Sequence, residues 1–266
     1  MSADAGFTGS IPAIYDRCLG PMLFEPYAID LADRTGALRP QKILETAAGT
    51  GIVTARICEV IHDAEIVATD LNQAMLDVAA SRVDSPLVQF RAADAQDLPF
   101  ADQSFDMLVC QFGFMFFPDR ARAYREARRV LKDGGHLLFN VWDRLDRNPA
   151  SAIVTQAVAA LFPADPPSFL RRVPFGYGDT AQIEADVRMA GFAAVRVETV
   201  ALRSAVTAED AAEGLCQGTP LRFEIEERDA SRLDEATAAS AKALRSLSGS
   251  DALDLPMSAH VITAAV

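Results

Sequence analysis

Glu45, Ala47, Gly49 and Gly51 are spaced as acid-x-small-x-Gly-x-Gly within KILETAAGTGIVT, residues 42–54. The stretch reads as a strand that ends in a glycine loop and runs into a helix. Loops of this kind hold nucleotides, because glycine lets the backbone turn sharply and leaves bare peptide for a ligand to lie on. As a dinucleotide fingerprint the loop would need a third glycine at residue 54, which is Thr54, so that reading lacks its helix-packing glycine. Two more acids follow. Asp70 closes the second strand, where a carboxylate can accept from both hydroxyls of a ribose. Asp94, in RAADAQDLPF, closes the third, where a carboxylate can accept from an adenine amine.

The elements that must position these acids alternate regularly over residues 42–142. KILET, EIVATD, PLVQFRAAD, SFDMLVCQFG and GHLLFNVWD read as strands. The fourth is almost continuously apolar, as a strand covered on both faces should be. Between them GIVTARICEVIH and NQAMLDVAASRV have helical apolar spacing, the second opened by Asn72 at a cap position. RARAYREARR, residues 120–129, is capped by Asp119, turns Ala121, Tyr124, Ala127 and Leu131 to one face, and stops at LKDGG. Strand–helix alternation predicts a parallel, doubly wound sheet. Beyond residue 143 the rhythm changes. SAIVTQAVAALF is a helix, residues 163–178 a Pro-rich insert, and DTAQIEADVRMAGF a helix with a capping-box start and a Gly stop. AAVRVETVAL is a strand, 207–250 is helical, and MSAHVITAAV is a closing strand.

The order E-x-A-x-G-x-G, D-L-N-x-x-M, A-D-A, DLPFADQSFDMLVCQFGFMFFPD, RVLKDGGHLLF resembles class I S-adenosylmethionine-dependent methyltransferases. The likeness is to the branch of ubiquinone/menaquinone C-methyltransferases and small-molecule enzymes, and it is tight over residues 41–143. YDRCLGPMLFEPYA, residues 15–28, is similar to the N-terminal lid of that branch. The resemblance implies a Rossmann-like α/β fold: a doubly wound, seven-stranded, mostly parallel sheet with an antiparallel last strand and a helical cap. The organisation expected is lid helices over 1–40, cofactor-binding core over 41–143, and a substrate-cap insert over 144–178. A core helix and strand over 179–206, a helical cap over 207–255 and the last strand over 256–266 complete it.

The resemblance also implies the ligands, S-adenosylmethionine and its product S-adenosylhomocysteine, and the residues that hold them. Glu45, Ala47, Gly49, Thr50 and Gly51 would take the methionine portion, with Tyr15 from the lid-like segment. Asp70 would take the ribose, Leu71 and Met75 the ribose and adenine, and Asp94 and Ala95 the adenine edge. Gln111 and Phe112 would lie beside the sulfonium. Ala47 departs from the family's glycine, a change tolerated at negative φ.

Transfer of a methyl group from a sulfonium needs alignment, and a base only where the acceptor must lose a proton. His62 and His136 belong to the far edge of the sheet. His260 can approach the active edge from an antiparallel last strand, though a buried structural role is the simpler reading. Tyr15, Asn140 and Asp143 are the other polar candidates, and none forms an acid–base pair in sequence. DPPSF, residues 165–169, looks like a signature of amino-group methyltransferases but stands away from strand four, where CQFG occupies that place.

The net charge of −12 disfavours nucleic acid. Cys18, Cys58, Cys110 and Cys216 show no metal-knuckle spacing, so no metal is expected. No run is long enough to span a membrane, and MSADAGFTGS is not a secretory signal. The expectation is a cytoplasmic enzyme acting on a small, largely apolar molecule at C, O, N or S, with a homodimer left open. The alternatives are an NAD(P)-dependent oxidoreductase and a non-catalytic binding protein of the same fold.

Overall fold

A computed structural model describes Gly6 and residues 9–248 and 252–266; most of MSADAGFTGS lies outside them. In chain order the elements begin with α1 (Ile11–Ile14), a π-helix (Tyr15–Phe24), α2 (Glu25–Leu38), β1 (Lys42–Thr46), α3 (Ile52–Val60), β2 (Glu65–Asp70) and α4 (Gln73–Arg82). They continue through β3 (Val88–Ala92), β4 (Phe105–Gln111), α5 (Arg120–Val130), β5 (Leu131–Trp142), α6 (Pro149–Leu161), α7 (Phe169–Arg172) and α8 (Thr180–Met189). The last are β6 (Ala193–Thr207), α9 (Ala208–Gln217), α10 (Leu221–Asp229), α11 (Leu233–Ser248) and β7 (Ala252–Ala265).

The chain divides into two compact units. One comprises residues 27–142, 177–200 and 259–266, the other 1–26, 143–176 and 201–258. Seven strands form one sheet in the order β3-β2-β1-β4-β5-β7-β6. The pairs β3–β2, β2–β1, β1–β4 and β4–β5 are parallel, and β7 runs antiparallel to β5, His260 opposite Val141. The apolar run of β4 is buried as its sequence requires, Met107 to Cys110 being at most 1% exposed. On α5 the buried face is Ala123, Tyr124, Ala127 and Val130. Ala121 is exposed, and the helix ends before LKDGG, because Leu131 already begins β5.

The second unit is mainly helical. Its π-helix contains Pro21, which has no N–H and whose ring would press on the carbonyl four residues back in an α-helix. The wider turn accommodates it, and the N–H of Glu25 donates to the carbonyl of Gly20. Helix α9 lies close against this segment. A Cβ at Gly214 would come within 2.6 Å of Leu19 and 2.8 Å of Cys18. Residues 163–178, read from sequence as an irregular insert, contain α7, whose Phe169 and Leu170 are buried. Phe24, Phe162 and Leu215 are buried too, so these side chains form the unit's own core. Arg17 pairs with Asp210 and Glu213, the two acids that stand with Cys18 within ligand distance of one another.

Helix α8 is tied into the sheet unit by hydrogen bonds. Asp179 caps it through the N–H groups of Ala181 and Gln182. The side chain of Gln182 goes forward to Asp186 instead of back to the cap. Tyr177 donates to Asp186 at 2.7 Å, and its hydroxyl lies 3.2 Å from that of the buried Tyr124. Tyr177→Phe strips both partners at once, and is expected to cost about 1–3 kcal/mol in thermal or denaturant unfolding. An unchanged midpoint would show that the tyrosine pair carries no stability.

Candidate active site at the carboxyl edge of the sheet

Crossovers diverge on either side of β1 and β4, the place where ligands bind in doubly wound sheets. The loop after β1 is fixed there from two sides. Ala48 donates to the carbonyl of Thr69, and Gly49 N–H donates to Asp70 Oδ2 at 2.9 Å. Arg82, at the end of α4, donates to the carbonyl of Thr50 at 2.9 Å. A Cβ on Gly51 would lie 2.8 Å from that of Ala79, so only glycine lets the loop pass α4. Nothing lies within 4 Å of the Cβ position of Gly49, which leaves bare peptide facing open space.

Ala47 differs from expectation. Its φ is +53°, in the left-handed region, where the methyl group is strained. The same methyl lies 2.7 Å from where a Cβ of Gly113 would be, so the alanine is accommodated by a glycine just past the neighbouring strand β4.

Glu45 points into the core at 1% exposure, and its Oε2 accepts from Thr54 Oγ1 at 2.6 Å. Thr54 therefore replaces the third glycine of a dinucleotide loop with a hydroxyl that satisfies a buried acid. Burial pushes the Glu45 carboxyl up to about 8; the negative charge of Asp70 adds to the shift and the Thr54 bond opposes it. Burial also raises Asp70, against three backbone N–H groups that favour its charged form.

Asp70 is 9% exposed, and its Oδ1 accepts from Asn72 N–H at 2.8 Å. Asn72 occupies the cap position of α4 without a side-chain cap bond. Leu71 is 44% exposed and so lies open beside Asp70, whereas Met75 is packed inside at 4%. Asp94 bends back on the N–H and side chain of Gln96, with half-buried Ala95 between them.

Past β4, Gln111 pairs with Asn140 of β5. Phe112 stands at φ +52°, its N–H shared between the carbonyl of Asn140 at 3.2 Å and Asn140 Oδ1 at 2.9 Å. Its ring stacks on Trp142 at 3.9 Å, with Tyr27 edge-on to both. The rest of FGFMFF is mixed: Phe114 and Met115 are buried, Phe116 and Phe117 half-buried.

The structure thus gathers Glu45, Ala47, Gly49, Thr50, Gly51, Asp70, Leu71, Asp94, Ala95, Gln111 and Phe112 along the carboxyl ends of four adjacent strands. Three other candidates are engaged elsewhere. His260 is 4% exposed; Nε2 lies 3.2 Å from the carbonyl of Gly178 and so donates, leaving Nδ1 to accept from Thr199 at 3.0 Å. Asp143 accepts from Ser258 Oγ at 2.8 Å and from Arg144 N–H. Tyr15 belongs to the helical unit, stacked on Phe24 at 4.7 Å. Sequence reading missed Thr54 as the partner of Glu45, Arg82 as the clamp on Thr50, and Asn140 as the support of Phe112. Only Thr54 left a signal, a polar residue at a position that faces the core.

Two outcomes follow. Below its ordinary value of 4.5 Glu45 is protonated folded or unfolded; between there and about 8 only the folded chain keeps the proton. Stability should fall as pH rises through that window, by about 1.4 kcal/mol for each unit of raised pKa, and Glu45→Gln should flatten the slope. Equal slopes in urea titrations would refute the buried-acid account. Ala47→Gly should relieve the left-handed strain and raise the unfolding free energy by up to about 1 kcal/mol.

Residues 44–139 match a family model described as a methyltransferase domain. The demethylmenaquinone methyltransferase of Thermotoga maritima is 41% identical over 102 residues, 38% of this chain and 44% of that protein. The ubiquinone/menaquinone biosynthesis C-methyltransferase UbiE of Idiomarina loihiensis is 35% identical over 139 residues, 50% of this chain and 53% of its own. The chain spans about half the length of these curated relatives. A phosphoethanolamine N-methyltransferase 2 of Haemonchus contortus was solved with phosphomonomethylethanolamine and S-adenosylhomocysteine. It superposes with a TM-score of 0.60 at 16% identity, covering 96% of this chain and 57% of that one. At that identity the likeness is one of fold.

Proposed function

We propose, from the premise that residues 44–139 belong to the class I S-adenosylmethionine-dependent methyltransferases, that this chain moves a methyl group from S-adenosylmethionine to a small, largely apolar acceptor. The observation that carries the reading is the bare peptide at Gly49, pinned to the Asp70 carboxylate. Other features fit the same ligand. Thr50 Oγ1 is buried with no partner among the described residues, so a polar group of a ligand would satisfy it. Leu71 leaves an apolar surface open beside Asp70, as a stacked base requires. Asp70 is buried, and its oxygens accept from Gly49 and Asn72 N–H with lone pairs to spare for ribose hydroxyls.

When bound, the cofactor supplies a methyl group already activated by the positive charge on sulfur. The chain's task is to hold two reactants in line, an effect that reaches about 7–11 kcal/mol. Asp70, held by backbone N–H groups beside the loop, is the acid placed to accept from the ligand, while the buried Glu45 is satisfied by Thr54. The ring nitrogens of His260 are bound elsewhere, so this reading assigns it no proton transfer. The apolar acceptor is supported by the likeness to quinone-methylating relatives over the cofactor-binding core. Selection of the acceptor is assigned to residues outside the family match of 44–139.

Calorimetry with S-adenosylmethionine, S-adenosylhomocysteine and NAD tests the reading. The first two should bind, and at a hundredfold excess over Kd should stabilise the fold by about 2.7 kcal/mol. Asp70→Ala removes charge-assisted bonds worth about 1.5–3 kcal/mol each, so affinity should drop at least tenfold. Binding of NAD, with neither sulfur compound bound, would refute the proposal.

A further inference from the structure

Asn140 is completely buried, and its two amide atoms have different fates. Oδ1 accepts from Phe112 N–H at 2.9 Å. That contact fixes the orientation of the amide, because the reverse orientation would set N–H against N–H. Nδ2 is therefore a donor, and it has no hydrogen-bond partner among the described residues. A buried donor left unmade costs about 1–3 kcal/mol, so it calls for an acceptor that the folded chain alone does not provide.

The position of Asn140 says what that acceptor is. On the reading proposed above, the sheet order lays the cofactor along one line: adenine at Asp94 after β3, ribose at Asp70 on β2, methionine at the loop after β1, and sulfonium at Gln111 and Phe112 after β4. β5 is the next strand along that line. Asn140 lies directly beside Gln111 on the same face, about 4.8 Å further on. It shares that face with Glu45, one step nearer the carboxyl edge. A donor just past the sulfonium end of the cofactor faces the molecule that receives the methyl group.

We propose that Asn140 is a specificity-determining residue of this chain, its Nδ2 donating a hydrogen bond to an oxygen of the methyl acceptor while its Oδ1 holds Phe112. The group read is an oxygen lone pair, hydroxyl, carbonyl or oxyanion; an ammonium offers none. The inference rests on the methyltransferase reading and adds to it a single contact.

Two variants separate the two sides of the amide. Asn140→Asp keeps an acceptor for Phe112 and removes the donor; Asn140→Leu removes both. Thermal midpoint, S-adenosylhomocysteine affinity, and kcat and KM with a panel of phenols and hydroquinones, thiophenols and anilines are measured for each. The wild type should prefer oxygen-bearing acceptors. Both variants should raise KM or lower kcat/KM for them at least tenfold, with S-adenosylhomocysteine affinity within about threefold of wild type. Asp at wild-type activity with Leu impaired would reduce Asn140 to a support for Phe112 and overturn the proposal. A matching loss of S-adenosylhomocysteine affinity would place Nδ2 on the cofactor, with the same consequence. If Asn140→Asp does not fold, the wild-type ranking decides: turnover of thiols or amines equal to that of their oxygen counterparts overturns it. A wild type that binds cofactor and favours oxygen acceptors, with variants unaffected, sinks this inference alone. A wild type that neither binds cofactor nor turns over any acceptor sinks the methyltransferase reading beneath it.

Discussion

The carboxylate of Asp70 is the constraint on which the candidate site depends. One oxygen accepts from Gly49 in the loop after β1, the other from Asn72 in the turn after β2. Two loops that leave neighbouring strands are thereby locked to each other. Burial disfavours the charge, and backbone N–H groups offset part of that penalty. Arg82 closes the opposite side through the carbonyl of Thr50, and Gly51 passes α4 with no room for a Cβ. The loop is thus shaped before any ligand arrives, and its exposed peptide at Gly49 is left for binding rather than for packing.

Beneath the loop, a second acid works differently. Glu45 has exchanged solvent for one hydroxyl, from Thr54. Ala47 and Phe112, at the ends of β1 and β4, both hold positive φ, and each is supported by a neighbour: Ala47 by the missing side chain of Gly113, Phe112 by the amide of Asn140. Strain of this sort persists where surrounding structure over-determines it, and such places cluster at functional sites.

Much of this was legible in the sequence. Alternating apolar strands and amphipathic helices declare the sheet because burial on both faces leaves a continuous signal, as in FDMLVCQ. Asp70, Gly49 and Gly51 were readable because loop chemistry is local. What was not legible depends on contacts distant in sequence. The room for the Ala47 methyl depends on Gly113, and the role of Asn140 on the N–H of Phe112 just past β4. Helix α5 was read one turn too far, since Leu131 suits the buried face of a helix and the start of a strand equally well. In the helical unit, 144–178 and 207–255 were read as cap segments, and composition does not say whether a Phe there lines a cleft or fills a core.

The placement of β7 has a consequence for the chain as it leaves the ribosome. Strand β7 lies between β5 and β6, so both must wait for residues 252–265. Until then β5, with Leu137, Phe139 and Val141 wholly buried in the finished molecule, presents an unpaired edge. Such edges recruit other strands. The helical unit waits as well, since residues 1–26 must meet segments as late as 201–258. Pairings this distant form slowly. The nascent protein therefore passes a long vulnerable interval with the Gly49–Gly51 loop already synthesised and its sheet unsealed, and loss of residues 259–265, which pair with β5, would leave that interval without an end.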